Sequence, residues 1–176
     1  QADGAAADDE VRRMTRCCEE AGADLVVQAT TAEESDLLLE ARRLAGTAVM
    51  AAGPTVIEDV CVRPGQLAEM LAAVQEVSAG SGIPIATVAH AGDGNLHPVL
   101  MLPDLGTETV ARAMAAGERL CDHARLLGGT VSGEHGVGVL KQAWLRQQLG
   151  PASLAVHQAI KTALDPAGIL NPGRSF

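Results

Sequence analysis

The sequence predicts an α+β fold with an antiparallel sheet. Helical and strand-like patterns mix along the chain without the regular alternation that a doubly wound sheet requires. Two apolar stretches, 83–91 and 96–102, flank Gly92, Asp93, Gly94 and Asn95. These turn residues tolerate a tight reversal, so the two stretches predict a β-hairpin. Apolar residues make up 47% of the 176 residues, which is enough to bury a core of ordinary size.

The first part of the chain predicts two helices and a short strand. Apolar positions at 11, 14, 18 and 21 recur at three- and four-residue steps, so we expect a helix that ends at Gly22. Residues 25–27 form a short apolar run typical of a strand. Thr31 followed by Glu34 fits a capping box, in which a hydroxyl and a carboxylate bind free backbone amides at a helix start. We expect this second helix to end at Gly46.

The middle of the chain predicts a strand over residues 56–62, which are rich in branched side chains. Glu58 and Asp59 lie within this run and indicate that one edge or face of the strand meets something polar. Pro64 suits the first turn of a following helix. The apolar stripe of that helix consists of Leu67, Met70, Leu71, Val74 and Val77.

The last part of the chain predicts three helices after the hairpin. A long helix over residues 108–127 is stopped by Gly128 and Gly129. A glycine-rich loop at 132–138 follows. Two further helices are expected over 139–149 and 151–164.

Composition and charge exclude several classes of protein. The 13 Lys and Arg against 22 Asp and Glu give a net charge of -9, which repels a polyanionic partner. One Trp, one Phe and no Tyr provide no platform for stacking bases, so we expect no nucleic acid partner. No apolar stretch is long enough for a membrane span and no basic segment opens the chain, so we expect a cytoplasmic protein.

The four cysteines form no C-x-x-C pair and are too scattered for a disulfide scaffold or a thiolate zinc finger. We expect all four to be buried, reduced thiols. They are Cys17, Cys18, Cys61 and Cys121.

Two of the five histidines, His90 and His97, lie at the two shoulders of the predicted hairpin. Residues that leave and re-enter paired strands across a short turn lie within about 5 Å of each other, so both imidazoles can face one site. They would then supply two ligands of a metal ion, while Asp93 and Asn95 form the turn. The spacing equally permits two solvated surface residues.

A second cluster of polar residues lies in the loop Ser132-Gly-Glu134-His135-Gly-Val-Gly138. Glycines allow a cofactor or substrate to approach the backbone closely, and an adjacent carboxylate and imidazole can divide metal ligation from proton transfer. Two imidazoles and one carboxylate are a usual ligand set for a catalytic divalent metal. The alternative is a helix cap, with Glu134 at the start of the next helix and His135 in solvent.

The remaining polar residues give weaker signals. Arg42 and Arg43, near a helix end, can bind a carboxylate, but paired arginines on a helix usually form a solvated face. Lys141 has the same two interpretations. His123 and His157 lie within predicted helices and are expected to be ordinary surface or packing residues.

Three segments together resemble the C-terminal domain of the FAD-linked oxidases, within the larger vanillyl-alcohol oxidase superfamily. They are the hairpin segment 90–97, the loop 132–138 and the terminal segment 164–174, Leu-Asp-Pro-Ala-Gly-Ile-Leu-Asn-Pro-Gly-Arg. Each motif alone is modest, but the three in this order are specific. The resemblance covers nearly the whole sequence, and residues 1–4 resemble the end of the domain's first strand.

The resemblance implies a ferredoxin-like antiparallel sheet flanked by helices, with a helical C-terminal tail. It implies that residues 1–176 are the substrate or cap domain and that the FAD-binding domain lies outside this sequence. In the family, zinc or manganese is held by residues matching His90, His97 and Glu134. His135 matches the residue that acts on the substrate, Arg42 matches an arginine that binds its carboxylate, and Asn171 matches a residue near the flavin.

The resemblance further implies oxidation of a 2-hydroxy acid to the 2-oxo acid with hydride transfer to FAD. Members that oxidise dicarboxylates carry a lysine where this sequence has Ile57 and an asparagine where it has Val99. A second substrate carboxylate would lack partners, so we expect a small monocarboxylate such as D-lactate or glycolate. The implied partners are this substrate, the protein's own FAD-binding domain and an electron acceptor of unknown identity, through which the protein would be peripheral to a membrane.

Two other functions stay open from the sequence. The chain could be a free-standing module that binds a metal or small ligand without redox activity, or it could use the same His90, His97 and Glu134 for metal-assisted hydrolysis. We expect the chain alone to be inactive toward hydroxy acids because FAD supplies the redox chemistry. We also expect a homo-oligomer, because a domain without its partner exposes apolar surface.

Overall fold

The computed structural model describes residues 4–174 and divides into two compact units, Gln1–Ala45 and Gly46–Phe176. The described part of the first unit contains α1 (Gly4–Glu20) and the start of α2 (Ala32–Ala51). The second unit contains the sheet and the remaining helices. Of the strand expected at residues 1–4, residues 1–3 lie outside the described part, and Gly4 is the first residue of α1.

The first unit follows the predicted helices but lacks the predicted strand. The chain leaves α1 through Gly22, whose φ of +83° suits glycine. Residues 25–27 are irregular, with Leu25 and Val27 exposed, because the described residues of this unit contain no strand that could pair with them. The predicted cap is present, since Glu34 N donates to Thr31 Oγ1 at 3.2 Å. The Glu34 carboxylate binds the Thr30 amide, one residue earlier than a capping box requires.

The prediction that Gly46 ends the second helix is wrong. α2 continues through Gly46 to Ala51, and no residue of the helix is buried. A single glycine inside a helix costs only about 1 kcal/mol relative to alanine, which good helix formers on both sides offset.

The sheet of the second unit is antiparallel and is centred on β4 (Asn95–Met101). β1 (Thr55–Ile57) and β2 (Val60–Cys61) pair one after the other with the same edge of β4. β3 (Ile85–His90) pairs with its other edge and forms the predicted hairpin. This small open sheet flanked by helices confirms the α+β class.

The strand expected at 56–62 is interrupted at Glu58 and Asp59. Glu58 N still donates to Pro98 O at 2.8 Å, so the chain stays beside β4. Both carboxylate side chains are buried. The expectation that this strand meets something polar is therefore confirmed, and the polar surroundings break the ladder.

Two helices pack on the sheet and complete the core. A 3₁₀ turn (Pro64–Gln66) leads into α3 (Leu67–Ser81), and α4 (Thr107–Leu126) follows the hairpin. The core contains Met70, Val74 and Val77 of α3, Leu120 of α4, and Val60, Leu96 and Leu100 of the sheet. Leu71, expected in the same stripe, is exposed at the edge of the helix.

The C-terminal tail is helical, as expected. α5 (Gln142–Leu164) contains Gly150 at φ +69° directly before Pro151, so it consists of two helical segments that meet at a kink. The first segment begins at residue 142 rather than 139. If β1 and β2 are counted as one interrupted strand, the order of elements from Thr55 to Leu126 is β-α-β-β-α. Thr130 then forms a single bridge with Cys61 at the position of a last ferredoxin-like strand.

The cysteines differ in exposure. Cys121 is buried, Cys61 is half-buried, and Cys17 and Cys18 are exposed on α1. The prediction of four buried thiols is wrong for the last two, because α1 exposes most of its described side chains. Within residues 4–174, no helix is long and apolar enough to cross a membrane.

Candidate functional site

The hairpin places His90 and His97 on one face of the sheet. His97 lies directly opposite Val88, two residues before His90, so the two histidines are diagonal neighbours. Their ring centroids are 5.3 Å apart and their planes are nearly perpendicular. Leu96 and Leu100 point to the other face, into the core.

The glycine-rich loop brings Glu134 to these histidines. Glu134 Oε1 lies 3.0 Å from His97 Nε2 and 3.4 Å from His90 Nε2. One ligand atom from each of the three residues lies within 4.8 Å of the other two. We call His90, His97 and Glu134 the His–Glu cluster. The helix-cap alternative for Glu134 is wrong, because α5 begins only at Gln142 and its N-cap residue, Lys141, makes no side-chain capping bond.

His135 lies beside the His–Glu cluster. Its ring stacks on that of His97 with centroids 4.7 Å apart and planes 13° apart. Its Nε2 is 3.9 Å from Glu134 Oε1, and about half of its side chain is exposed. His135 can therefore meet a small molecule that also touches the cluster.

The buried carboxylate of Asp59 holds the loop. Its Oδ2 accepts hydrogen bonds from Ser132 Oγ at 2.9 Å and from the amides of Gly133, Glu134 and His135 at 2.9, 3.0 and 2.8 Å. Burial raises the pKa of Asp59, but these hydrogen bonds outweigh it, and the pKa lies below its ordinary value. Asp59 is thus a carboxylate at neutral pH.

The second oxygen of Asp59 faces His97. Asp59 Oδ1 lies 3.7 Å from His97 Nδ1, and neither buried atom has a hydrogen-bond partner among the described residues. Burial and the neighbouring His135 lower the pKa of His97, despite the opposing charges of Asp59 and Glu134. His97 is therefore neutral at neutral pH, the form in which imidazole binds a metal.

Lys141 is a buried part of the site frame, so the interpretation of a solvated lysine is wrong. Its Nζ donates to Asp59 O at 2.7 Å and to Val131 O at 2.8 Å. It also lies 2.9 Å from Glu58 Oε2. Lys141 thereby joins both ends of the loop to the broken strand and neutralises Glu58.

The other predicted site residues lie outside the His–Glu cluster. Arg42 is exposed on α2, in the first unit, and its substrate-binding role stays a prediction. Asn171, at φ +47°, lies in the turn after α5 and lines a cavity of about 730 Å³. His123 and His157 lie on α4 and α5, as expected of helix residues.

The hairpin turn is formed as expected. Asp93 is exposed, and its amide donates to His90 O at 3.1 Å. Asn95 is buried, and a Cβ on Gly133 would lie only 2.3 Å from its side-chain oxygen. The glycine therefore lets the loop approach the hairpin closely, which places Glu134 above the histidines.

A cavity of about 260 Å³ adjoins His135. Ile57 and Asp59 line it from the sheet, and Val137, Val139 and Arg174 line it from the loop and the tail. Ile57 pairs directly with Val99, which is two residues from His97 on the same face. The cavity thus combines apolar residues with the guanidinium of Arg174 and with the ion pair of Glu58 and Lys141.

Sequence reasoning gave no place in the site to Asp59 or Arg174, and it left Lys141 between a carboxylate-binding and a solvated residue. The two carboxylates within a run of branched residues were a usable signal for Asp59. Nothing in the local sequence distinguishes Lys141 or Arg174 from surface cations.

Comparison with known proteins identifies the family of this chain. The family described as "FAD linked oxidases, C-terminal domain" matches residues 1–175. The chain belongs to this family of FAD-linked oxidases. The match confirms the resemblance inferred from the three motifs.

Relatives of this FAD-linked oxidase domain include enzymes named for hydroxy acids. Glycolate oxidase subunit GlcD of Bacillus subtilis is 37% identical over 95% of this chain and 36% of its own length. D-lactate dehydrogenase of Archaeoglobus fulgidus is 34% identical over 94% and 36%. A probable mitochondrial D-lactate dehydrogenase of Danio rerio is 34% identical over 81% and 29%. The chain thus spans about a third of these relatives.

The residues of this FAD-linked oxidase domain fit a divalent metal. Two imidazole nitrogens and a carboxylate oxygen converge, one imidazole is held neutral, and its second nitrogen faces a buried carboxylate. Zinc and manganese both accept such a mixed nitrogen and oxygen set. For the flavin, Asn171 offers one side-chain amide in the lining of the larger cavity.

Proposed function

We propose that this chain is the metal- and substrate-binding part of an FAD-dependent 2-hydroxy acid dehydrogenase that oxidises D-lactate or glycolate. The observation that carries the proposal is the convergence of His90, His97 and Glu134 beside the accessible ring of His135. The names of the relatives support the substrate class.

Oxidation of a 2-hydroxy acid to a 2-oxo acid removes a proton from the hydroxyl and a hydride from the carbon that bears it. When bound, the divalent metal lowers the pKa of the hydroxyl, and FAD accepts the hydride. The task of this chain is to hold the substrate in place and to accept the hydroxyl proton. His90, His97 and Glu134 would hold the metal.

His135 is the proposed general base. Its Nε2 lies 3.9 Å from Glu134 Oε1, so a hydroxyl bound at the His–Glu cluster lies within its reach. Its ring is kept in place by the stack on His97, and its backbone is fixed by the hydrogen bond from its amide to Asp59. The exposed part of the ring allows the proton to pass on to solvent.

The small cavity beside His135 supports a small substrate. Ile57 and Val99 are paired apolar residues on the face of the sheet that carries His97, and neither side chain offers a hydrogen-bond donor to a second substrate carboxylate. The single substrate carboxylate would be bound by a guanidinium, and the candidates are Arg42 and Arg174. Arg174 lines the cavity, and Arg42 matches the family's arginine.

Asn171 is proposed to contact the flavin, with the rest of FAD bound by a domain outside this chain. The turn that carries Asn171 is held in place, because Asp165 accepts from Ile169 N at 3.0 Å and from Leu170 N at 2.9 Å. Gln142 Nε2 also donates to Gly173 O at 2.6 Å. An amide carried on a turn whose backbone is held in this way suits an edge contact with a cofactor.

Substitution of the base in the intact flavoprotein tests the proposal. His135→Ala should lower kcat for D-lactate or glycolate by about 100-fold or more, since a general base contributes 10²–10⁴-fold. His123→Ala, on α4, is the matched control and should retain activity. Full activity of His135→Ala would refute the proposed mechanism.

The alternative functions give different outcomes. A free-standing binding module would bind metal. A longer protein that contains this chain and binds FAD would then oxidise no hydroxy acid. Metal-assisted hydrolysis would appear as cleavage of a chromogenic ester by the metal-loaded chain, abolished by His97→Ala. The proposed oxidation predicts no such cleavage.

A further inference from the structure

Asp59 contacts residues of the site, although it has no direct role in the proposed reaction. It is neither a member of the His–Glu cluster nor the proposed base, although it lines the cavity beside His135, and it is almost fully buried at 1% exposure. One oxygen accepts four hydrogen bonds from consecutive residues of the loop, 132–135. The other oxygen faces His97.

The four hydrogen bonds fix the part of the loop that carries Glu134 and His135. Three of them come from backbone amides, so they hold the chain itself rather than one side chain. Two glycines with positive φ, Gly136 and Gly138, lie just after this segment. Without Asp59 the amides of residues 133–135 would lose the side-chain acceptor that the described structure gives them, and glycines at 136 and 138 would restrain the loop little.

The second oxygen of Asp59 bears on which ring nitrogen of His97 carries the hydrogen. A carboxylate near Nδ1 favours the tautomer with hydrogen on Nδ1, which leaves the lone pair on Nε2. Nε2 is the atom that lies 3.0 Å from Glu134. The 3.7 Å between Asp59 Oδ1 and His97 Nδ1 is slightly longer than a hydrogen bond, and a shift of roughly 0.7 Å would close it.

We propose that Asp59 is a positioning residue, which holds Glu134 and His135 through the loop amides and directs Nε2 of His97 toward the cation. This inference rests on the proposed function, because it concerns the same metal centre. Asp59 acts on three of the four site residues at once, although it lies on the interrupted strand far from them in sequence.

Glu58 provides a matched control because it is the neighbouring buried carboxylate. It pairs with Lys141 and is not among the residues that contact His97 or the amides of the loop. Glu58→Gln should destabilise the fold without altering the metal site. A merely structural role of Asp59 would give the same result for Asp59→Asn.

The experiment uses the full 176-residue chain in three forms: unsubstituted, Asp59→Asn and Glu58→Gln. Zinc affinity is measured by competition with a chelator, and the visible absorption of bound Co²⁺ reports ligand geometry. We expect Asp59→Asn to weaken zinc binding about 10–100-fold and to alter the cobalt spectrum. Glu58→Gln should change neither.

Two further measurements do not depend on bound metal. Hydrogen exchange at the amides of residues 133–135 should be at least about tenfold faster in metal-free Asp59→Asn than in the unsubstituted chain, since each amide loses a charged acceptor. Nitrogen NMR of the unsubstituted chain should show hydrogen on Nδ1 of His97. This second measurement decides the matter even where Asp59→Asn fails to fold.

The proposal is overturned if Asp59→Asn keeps the zinc affinity and cobalt spectrum of the unsubstituted chain, if Glu58→Gln reproduces its losses, or if His97 carries its hydrogen on Nε2. If the unsubstituted chain binds no zinc, the proposed metal centre itself is wrong. The hydrogen-exchange rates of residues 133–135 still show in that case whether Asp59 holds the loop.

Discussion

Glu134 Oε1 lies 3.0 Å from His97 Nε2, a contact that joins the glycine-rich loop to the second strand of the hairpin. The two residues come from motifs that are separated by the whole of α4. Their contact depends on the hydrogen bonds from the loop amides to Asp59. It also depends on the close packing of the hairpin turn against the neighbouring chain.

Gly94→Ala should destabilise the second unit. Gly94 has a φ of +75°, and an added Cβ would lie 1.9 Å from Val62 O. The strain alone costs about 1–3 kcal/mol, and the backbone clash adds to it. The matched control is Gly92→Ala, in the same turn with open space around it, which should stay within about 0.5 kcal/mol. Equal unfolding free energies in urea for the two variants would contradict this packing.

Lys141→Met should lower the free energy of unfolding by about 3–5 kcal/mol, because it leaves Glu58 buried without a counter-charge. It also removes the donor to Asp59 O and Val131 O. Arg146→Met, at an exposed position of α5, is the control and should have little effect. Chemical denaturation measures the free energy of unfolding of both variants. A loss below about 1 kcal/mol for Lys141→Met would contradict a buried ion pair that stabilises the fold.

The cysteines should differ in their reaction with iodoacetamide. Burial raises the pKa of Cys121 to about 12, so its thiolate is scarce and shielded at pH 8. Cys17 and Cys18 are exposed and should be alkylated in the folded chain. Mass spectrometry should find label on Cys121 only after unfolding. Labelling of Cys121 as fast as Cys17 under native conditions would be inconsistent with the core described above.

Acid should destabilise the turn that carries Asn171, because the Asp165 carboxylate accepts the hydrogen bonds that hold this turn. The hydrogen bond from Lys161, together with the amides of Leu170 and Ile169, lowers the pKa of Asp165 against the opposing effect of burial. A carboxylate with a lowered pKa in the folded state stabilises the fold above its unfolded pKa of about 3.9, and this stability is lost as the pH falls through the folded pKa.

Asp165→Asn should therefore reduce stability at pH 7 and flatten its decline between pH 5 and pH 2. Glu118→Gln, exposed on α4, serves as the control. Unfolding by urea across this pH range provides the measurement. The same slope for Asp165→Asn and the unsubstituted chain would rule out this contribution.

Local patterns were sufficient for much of the fold. The hairpin follows from two apolar stretches around Gly92, Asp93, Gly94 and Asn95, and α3 follows from its apolar stripe after Pro64. Gly150 and Pro151 divide the last helix where the sequence predicts. These elements are determined by residues close together in the chain, which is why they could be predicted.

The frame of the site depends on distant contacts and was only partly predictable. Ser132 and Asp59 bond across 73 positions, and Lys141 and Asp59 across 82. A lysine that is buried against Glu58 has the same local sequence signature as a solvated lysine, so the sequence could not decide between the two interpretations of Lys141. The strand break at Glu58 and Asp59 was indicated by their charges, but its consequence for the loop required the tertiary structure.

The central claim is that His90, His97 and Glu134 bind one divalent cation. The most direct measurement is anomalous diffraction at the zinc edge from crystals of the zinc-loaded chain, with metal analysis of the same preparation. We expect one zinc per chain, about 2.0–2.2 Å from the imidazole nitrogens of His90 and His97 and from the Glu134 carboxylate. Zinc bound elsewhere, or a well-ordered cluster without anomalous density in a zinc-saturated crystal, would contradict it.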